Sequence, residues 1–288
     1  MVATLVLDGG VPKGALAGPT PRARLPCRGI GVEGRVTFGT ADLDAGRGTL
    51  GIGSEVPGDV WIDMAESSKL TTKDPRSGRE LSFEGPAHVA PCRPPEDEAW
   101  LTTGSMASIP GTGEGPGSEE WVVTALGVVR YGASVLRVTA ADPEHAEVHV
   151  AAGSAWLWVA EGTVERGDAG LPHAGGGWRR LDAGATLSLT ARRPEKVSRE
   201  DDARDAANRC ASAAKAARDL AGRIAAPDAA LSDLAPRHVA ARQGARATCA
   251  VARLRADALP AGGGRRALLS SLFGSDETWR GAAPNVEP

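Results

Sequence analysis

The hydrophobic pattern of this chain changes period once, near Pro194, and that change limits it to two kinds of structure in series. Before it, short apolar runs alternate with glycine, proline and aspartate turns. Trp121-Val122-Val123, Val128 to Tyr131, Val135 to Val138 and Glu147 to Val150 are the clearest, with Val60-Trp61-Ile62 and Ala155 to Val159 among the others, and such runs read as many short strands. After it, alanine, arginine and aspartate dominate. Glu195 to Ala225 and Ser232 to about Leu259 are rich in good helix formers, and the breaking run Ala226-Pro227-Asp228-Ala229-Ala230 separates them. Ser198 is placed to cap the first helix, with Glu200, Asp201 and Asp202 favouring its dipole. A third short helix is expected around Arg266 to Phe273. The expected organisation is a flexible leading segment over 1–29, a β domain over 30–194 and an α-helical hairpin over 195–288.

With 288 residues and 42% hydrophobic content, the chain is large enough for two cores. A net charge of −3 removes the broad attraction on which non-specific nucleic-acid binding depends, so no nucleic-acid partner is expected. No apolar run approaches the roughly 20 residues needed to cross a bilayer, so no membrane span is expected. Residues 1–26 do not read as a charged stretch followed by an apolar one, so no export signal is visible in the given chain.

Cysteine placement argues for export all the same. Cys27 and Cys92 fall in or beside the β-patterned part, Cys210 and Cys249 in the helical part, so each part holds its own pair. In an antiparallel hairpin, residues equidistant from the turn face one another, and the midpoint of 210 and 249 falls inside the 226–230 breaker. Two disulfides are therefore expected, and with them an oxidising compartment, the periplasm or cell envelope.

Candidate chemistry is thin. The histidines show no metal-ligand spacing and the cysteines no Cys-x-x-Cys, so neither metal nor cofactor is expected. The glycine run Gly111 to Gly117 leads into a strand rather than opening a helix, which argues against phosphate binding. With Gly167 to Gly177 it is expected to be a surface insertion. No acid, base and nucleophile cluster can be named, so no enzymatic activity is expected. Trp156 and Trp158 stand two apart in a strand and so share one side. Exposed, they would make a stacking platform for a glycan or a peptide; buried, they would pack against the core or the helices. A weak recurrence places glycine three residues after an apolar position at Leu43–Gly46, Leu101–Gly104, Val150–Gly153 and Leu181–Gly184, a candidate set of corners.

The region from about Ile30 to Arg193 resembles the FecR domain family. The likeness lies in Val32 to Val36, in Gly53 to Ile62, and in Trp121 to Gly127 followed by Val135 to Val138. It continues through Val148 to Gly153, Trp156 to Val159 and Leu181 to Gly184. That resemblance implies a right-handed β-solenoid-like module outside the inner membrane, relaying a signal through protein contacts in the cell envelope. Ala125 stands where the family favours proline, and Met1 to Pro26 contains neither an anti-sigma segment nor a membrane helix. The fold expected is mainly β with a separate α region, a β-sandwich or jelly roll being the alternative for the β part. The function expected is a non-enzymatic interaction or signalling module with a protein partner. A carbohydrate-binding surface using Trp156 and Trp158 is the alternative.

Overall fold

The computed structural model describes residues 27–40, 48–56, 60–74, 78–93, 98–109, 119–167, 177–192, 197–225 and 231–280. The first half of the β part holds β1 (Cys27–Glu33), β2 (Val36–Thr40), β3 (Gly48–Thr49), β4 (Glu55–Val56), β5 (Val60–Met64), β6 (Lys69–Lys73) and the long β7 (Glu80–Arg93). The second holds β8 (Glu98–Ile109), β9 (Glu120–Thr124), β10 (Gly127–Tyr131), β11 (Val135–Asp142), β12 (His145–Ala152), β13 (Ser154–Val159), β14 (Thr163–Gly167), β15 (Trp178–Asp182) and β16 (Thr186–Ala191). Three helices follow: α1 (Arg199–Ile224), α2 (Leu231–Asp257) and α3 (Gly263–Arg280).

Mainly β followed by a helical region is the expected class, and the ladders show how the strands are arranged. The described strands form one connected sheet folded into two halves, here the first and second sheets, and β7 and β8 are long enough to run through both. Their outer halves, Glu80–Glu84 against Ser105–Ile109, carry β6, β1 and β4 on one side and β11, β12, β16 and β14 on the other. Their inner halves carry β5, β2 and β3 on one side and β9, β10, β13 and β15 on the other. Register slips between Glu84 and His88, where the pair leaves one sheet for the other. Glycine permits that crease: a Cβ at Gly85 would lie 2.1 Å from the Ala65 carbonyl oxygen, and Gly104, at φ +111°, has room for none beside Ala87.

The inward side chains of both sheets, among them Ile62, Val89, Val122 and Leu157 from one and Phe83, Met106, Val138 and Val148 from the other, form one buried cluster. The two halves thus fold over a common core. Stacked solenoid coils would set successive turns in parallel register. Among the described residues only β8 with β9 is parallel, so a solenoid is not confirmed. Gly104, Gly153 and Gly184 of the glycine recurrence do take positive φ, whereas Gly46 and the two glycine-rich insertions, 110–118 and 168–176, lie outside the described residues.

Both cysteine pairings hold. Cys27 opens β1 in the first sheet and Cys92 closes the second-sheet half of β7, so their disulfide staples the two layers. Cys210 and Cys249 join α1 to α2 with 4.6 Å between their Cα atoms. Ser198 caps α1, its hydroxyl accepting from the Asp201 N–H at 3.1 Å. Helix α2 begins at Leu231, slightly earlier than the sequence suggests, which leaves Pro236 inside it. The hairpin is not alone. Helix α3 is longer than expected and buries Leu272 in the same alanine-rich cluster as Ala206, Ala214, Ala245 and Ala252, making a three-helix bundle. Alanine on the facing stripes lets the helix axes approach closely, which is the separation the Cys210–Cys249 bridge requires.

Candidate binding surface

The second sheet is buried on its inner face and, where α2 crosses it, on its outer face as well. Along β5, β8, β9, β10 and β13, alternate residues point into the common core, and those between point outward and carry tryptophan. Trp61, Trp100, Trp121 and Trp158 stand on that outer face beside Val123 and Val128, with Trp178 partly buried against them. Ala247, Ala250, Val251 and Leu254 of α2 lie across them and complete the cluster. Each ring removes roughly 200 Å² from water, worth about 5 kcal/mol at ~25 cal/mol/Å². This layer therefore outweighs the exposed ion pairs around it, which contribute at most ~1 kcal/mol each.

Guanidinium groups fill the spaces between the rings. Arg93 lies 5.4 Å from the Trp61 centroid and 4.4 Å from that of Trp100, and Arg246 of α2 lies 3.7 Å from Trp121. Arg130 serves Trp178 at 4.9 Å and Trp156 at 5.6 Å, and Trp121 meets Trp178 edge-on at 5.2 Å. The two runs of rings are joined by Glu98, whose carboxylate accepts from Trp100 Nε1 at 2.9 Å and from Arg246 at 2.7 Å. Arg255 fastens a second point, donating to the Ala125 carbonyl at 3.0 Å and to Asp202 of α1 at 3.1 Å. At the far end Asp257, 3% exposed in its side chain, sits between Arg93 and Arg265, each at 3.4 Å. Sequence inspection passed over Glu98, Arg93, Arg130 and Arg246, because the signal is pairing across strands and from sheet to helix.

Trp156 and Trp158 do share a side, yet they do not form one platform. Trp158, 5% exposed, belongs to the layer beneath the helices. It floors a groove of about 510 Å³ whose walls are Ala206, Ala213 and Ala216 of α1 and Ala241, Gly244 and Thr248 of α2. Arg209 and Glu161, 3.7 Å apart, stand at the groove's edge. Trp156 lies beyond the cover and is 38% exposed. A smaller cleft of about 60 Å³ adjoins Asp202 and Arg255 where the β part meets the helices.

The remaining candidates are surface groups or structural ones. His88 stacks on Trp61 at 4.6 Å and contacts Asp63 through Nδ1 at 2.6 Å, both side chains open to solvent. His149 contacts the Thr186 hydroxyl at 2.8 Å. Asp142 titrates below the usual carboxylate range: desolvation opposes the shift, and hydrogen bonds from the Glu144 N–H and from His145 overcome it. Tyr131, fully enclosed in the core, has its phenol pushed up to about 12, chiefly by burial, with Ser108 and Arg79 pulling the other way. No group of three or more His, Cys, Asp or Glu among the described residues is arranged to hold a metal. No described helix is long and apolar enough to cross a membrane. Compared with known proteins, the chain matches no family model and no curated protein.

Proposed function

We propose that the chain is an exported, non-enzymatic interaction module of the FecR type, acting in the periplasm or cell envelope through a protein partner. The observation that carries this reading is the pair of disulfides, one stapling the two sheets and one the first two helices. Such bridges persist in an oxidising compartment and are rare where thiols are kept reduced. The construction also favours binding over turnover. Its polar investment goes into fixing helices on a sheet, through Glu98, Arg255 and Asp257, and alanine is the commonest residue lining the groove above Trp158.

The test is a thiol count on protein recovered from its own cell without reduction, together with fractionation of that cell. Zero reactive thiols out of four cysteines, in the envelope fraction, is the expected result. Four reactive thiols, or protein confined to the cytosol, would end the export reading.

A further inference from the structure

The stack of rings and guanidinium groups is closed along its length and open at Trp156. Trp61 has His88 at 4.6 Å and Arg93 at 5.4 Å, and Trp100 has Arg93 at 4.4 Å and Arg253 at 6.0 Å. Among the described residues, Trp156 has Arg130 alone within stacking distance. Among the tryptophans whose side chains are described, it is the one exposed by more than a third. Its place is fixed by both neighbours: it is paired with Arg130 on β10 and with Arg180 on β15, in the row Trp121–Arg130–Trp156–Arg180.

The charges around the ring identify what fits it. Arg180 is tied to Asp182 at 2.9 Å, the two side chains 59% and 73% exposed. Arg130, 11% exposed, is tied to Glu119, 52% exposed, at 3.7 Å. Two cations and two anions cancel, so neither a cationic nor an anionic ligand gains from the site as a whole. Residues 178, 180 and 182 alternate on one strand, so Arg180 and Asp182 flank the same face as Trp156. An indole face accepts the C–H side of a sugar ring, while exposed carboxylates accept from hydroxyls and guanidinium groups donate to them. The exposed Arg180–Asp182 pair is worth little by itself and can exchange a partner for a ligand at small cost.

We infer that Trp156, flanked by Arg130 and Arg180 with Asp182 on the same face, is a binding site for a neutral glycan, one pyranose ring stacking on the indole. This goes beyond the interaction reading above and does not depend on it. Saturation-transfer NMR on the full, disulfide-intact chain tests it, with tri-N-acetylchitotriose, cellotriose and maltotriose as neutral probes, trigalacturonate as the anion and a tri-arginine peptide as the cation. At least one neutral trisaccharide is expected to bind, with saturation concentrated on the C–H protons of one ring face. Its affinity should fall at least tenfold in Trp156→Ala and several-fold in Asp182→Asn, and Trp156→Phe should recover part of it. Circular dichroism checks that each variant is folded, and Asp182→Asn, on an exposed side chain, carries the test if Trp156→Ala does not fold. Three results would overturn the inference: no neutral probe binding, binding unchanged in the variants, or the tri-arginine peptide binding in the sugars' place. The thiol count judges export separately, so failure of one reading is not failure of the other.

Discussion

Glu98 shows how much a single side chain can be asked to do when it is withdrawn from water. Its side chain is 8% exposed, and its two oxygens hold Trp100 of the sheet and Arg246 of the helix at once. Removing one member of such a pair leaves the other charge buried without compensation, which costs about 3–5 kcal/mol. Glu98→Ala should therefore lose about 3 kcal/mol in urea unfolding, whereas Asp182→Ala, at an exposed pair, should lose less than ~1 kcal/mol. Tyr131 gives a second reading at this scale, and a clean one, because it is the only tyrosine in the chain. Its folded value of about 12 lies above the ordinary 10, so the neutral phenol is favoured by folding. That contribution is whole below pH 10 and is lost as pH rises from about 10 through 12. Tyrosinate absorbance should accordingly rise with a midpoint near 12 in the folded protein and near 10 in urea; a midpoint of 10 in both would place Tyr131 in contact with water.

Among the elements, the α1–α2 hairpin is the one whose stability is most concentrated in a covalent bond. Its interface is mostly alanine, which brings the helices close and buries little area per residue. The Cys210–Cys249 bridge closes a long loop, worth roughly 2–4 kcal/mol. The double variant Cys210→Ala/Cys249→Ala should lower the melting temperature and separate a helical unfolding step from that of the sheets. Calorimetry showing one unchanged transition would count against this. Sequence reasoning found that hairpin readily, because capping by Ser198, the 226–230 breaker and the symmetry of the two cysteines are local or nearly so. It found most strands for the same reason. It did not find how the strands are paired. Gly85 and Gly104 look like ordinary turn residues until β7 and β8 lie side by side, and only their coincidence at the crease reveals where the ladder bends. Nor could the fate of the tryptophan pair be read locally: Trp156 and Trp158 have the same local environment, and α2, distant in sequence, covers the second and leaves the first.

At the scale of the molecule, the compositional boundary near Pro194 is not a mechanical one. Helix α2 is the outer cover of the second sheet, and Arg255 and Asp257 bind the bundle to the β part from both sides. A chain ended at residue 192 should not behave as an independent domain. It should bind a hydrophobic dye strongly, show red-shifted tryptophan emission and associate, where the full chain remains dispersed. A compact, dye-silent fragment would show that the cover is dispensable. The order of synthesis gives this cover a further consequence. Trp61, Trp100, Trp121 and Trp158 are all made before the helix that hides them, which begins at Leu231. A ribosome finishes the oily side of the β part well before it makes the lid. During that interval the nascent protein is a sticky intermediate, safe only if it is kept unfolded or escorted until its last third has arrived.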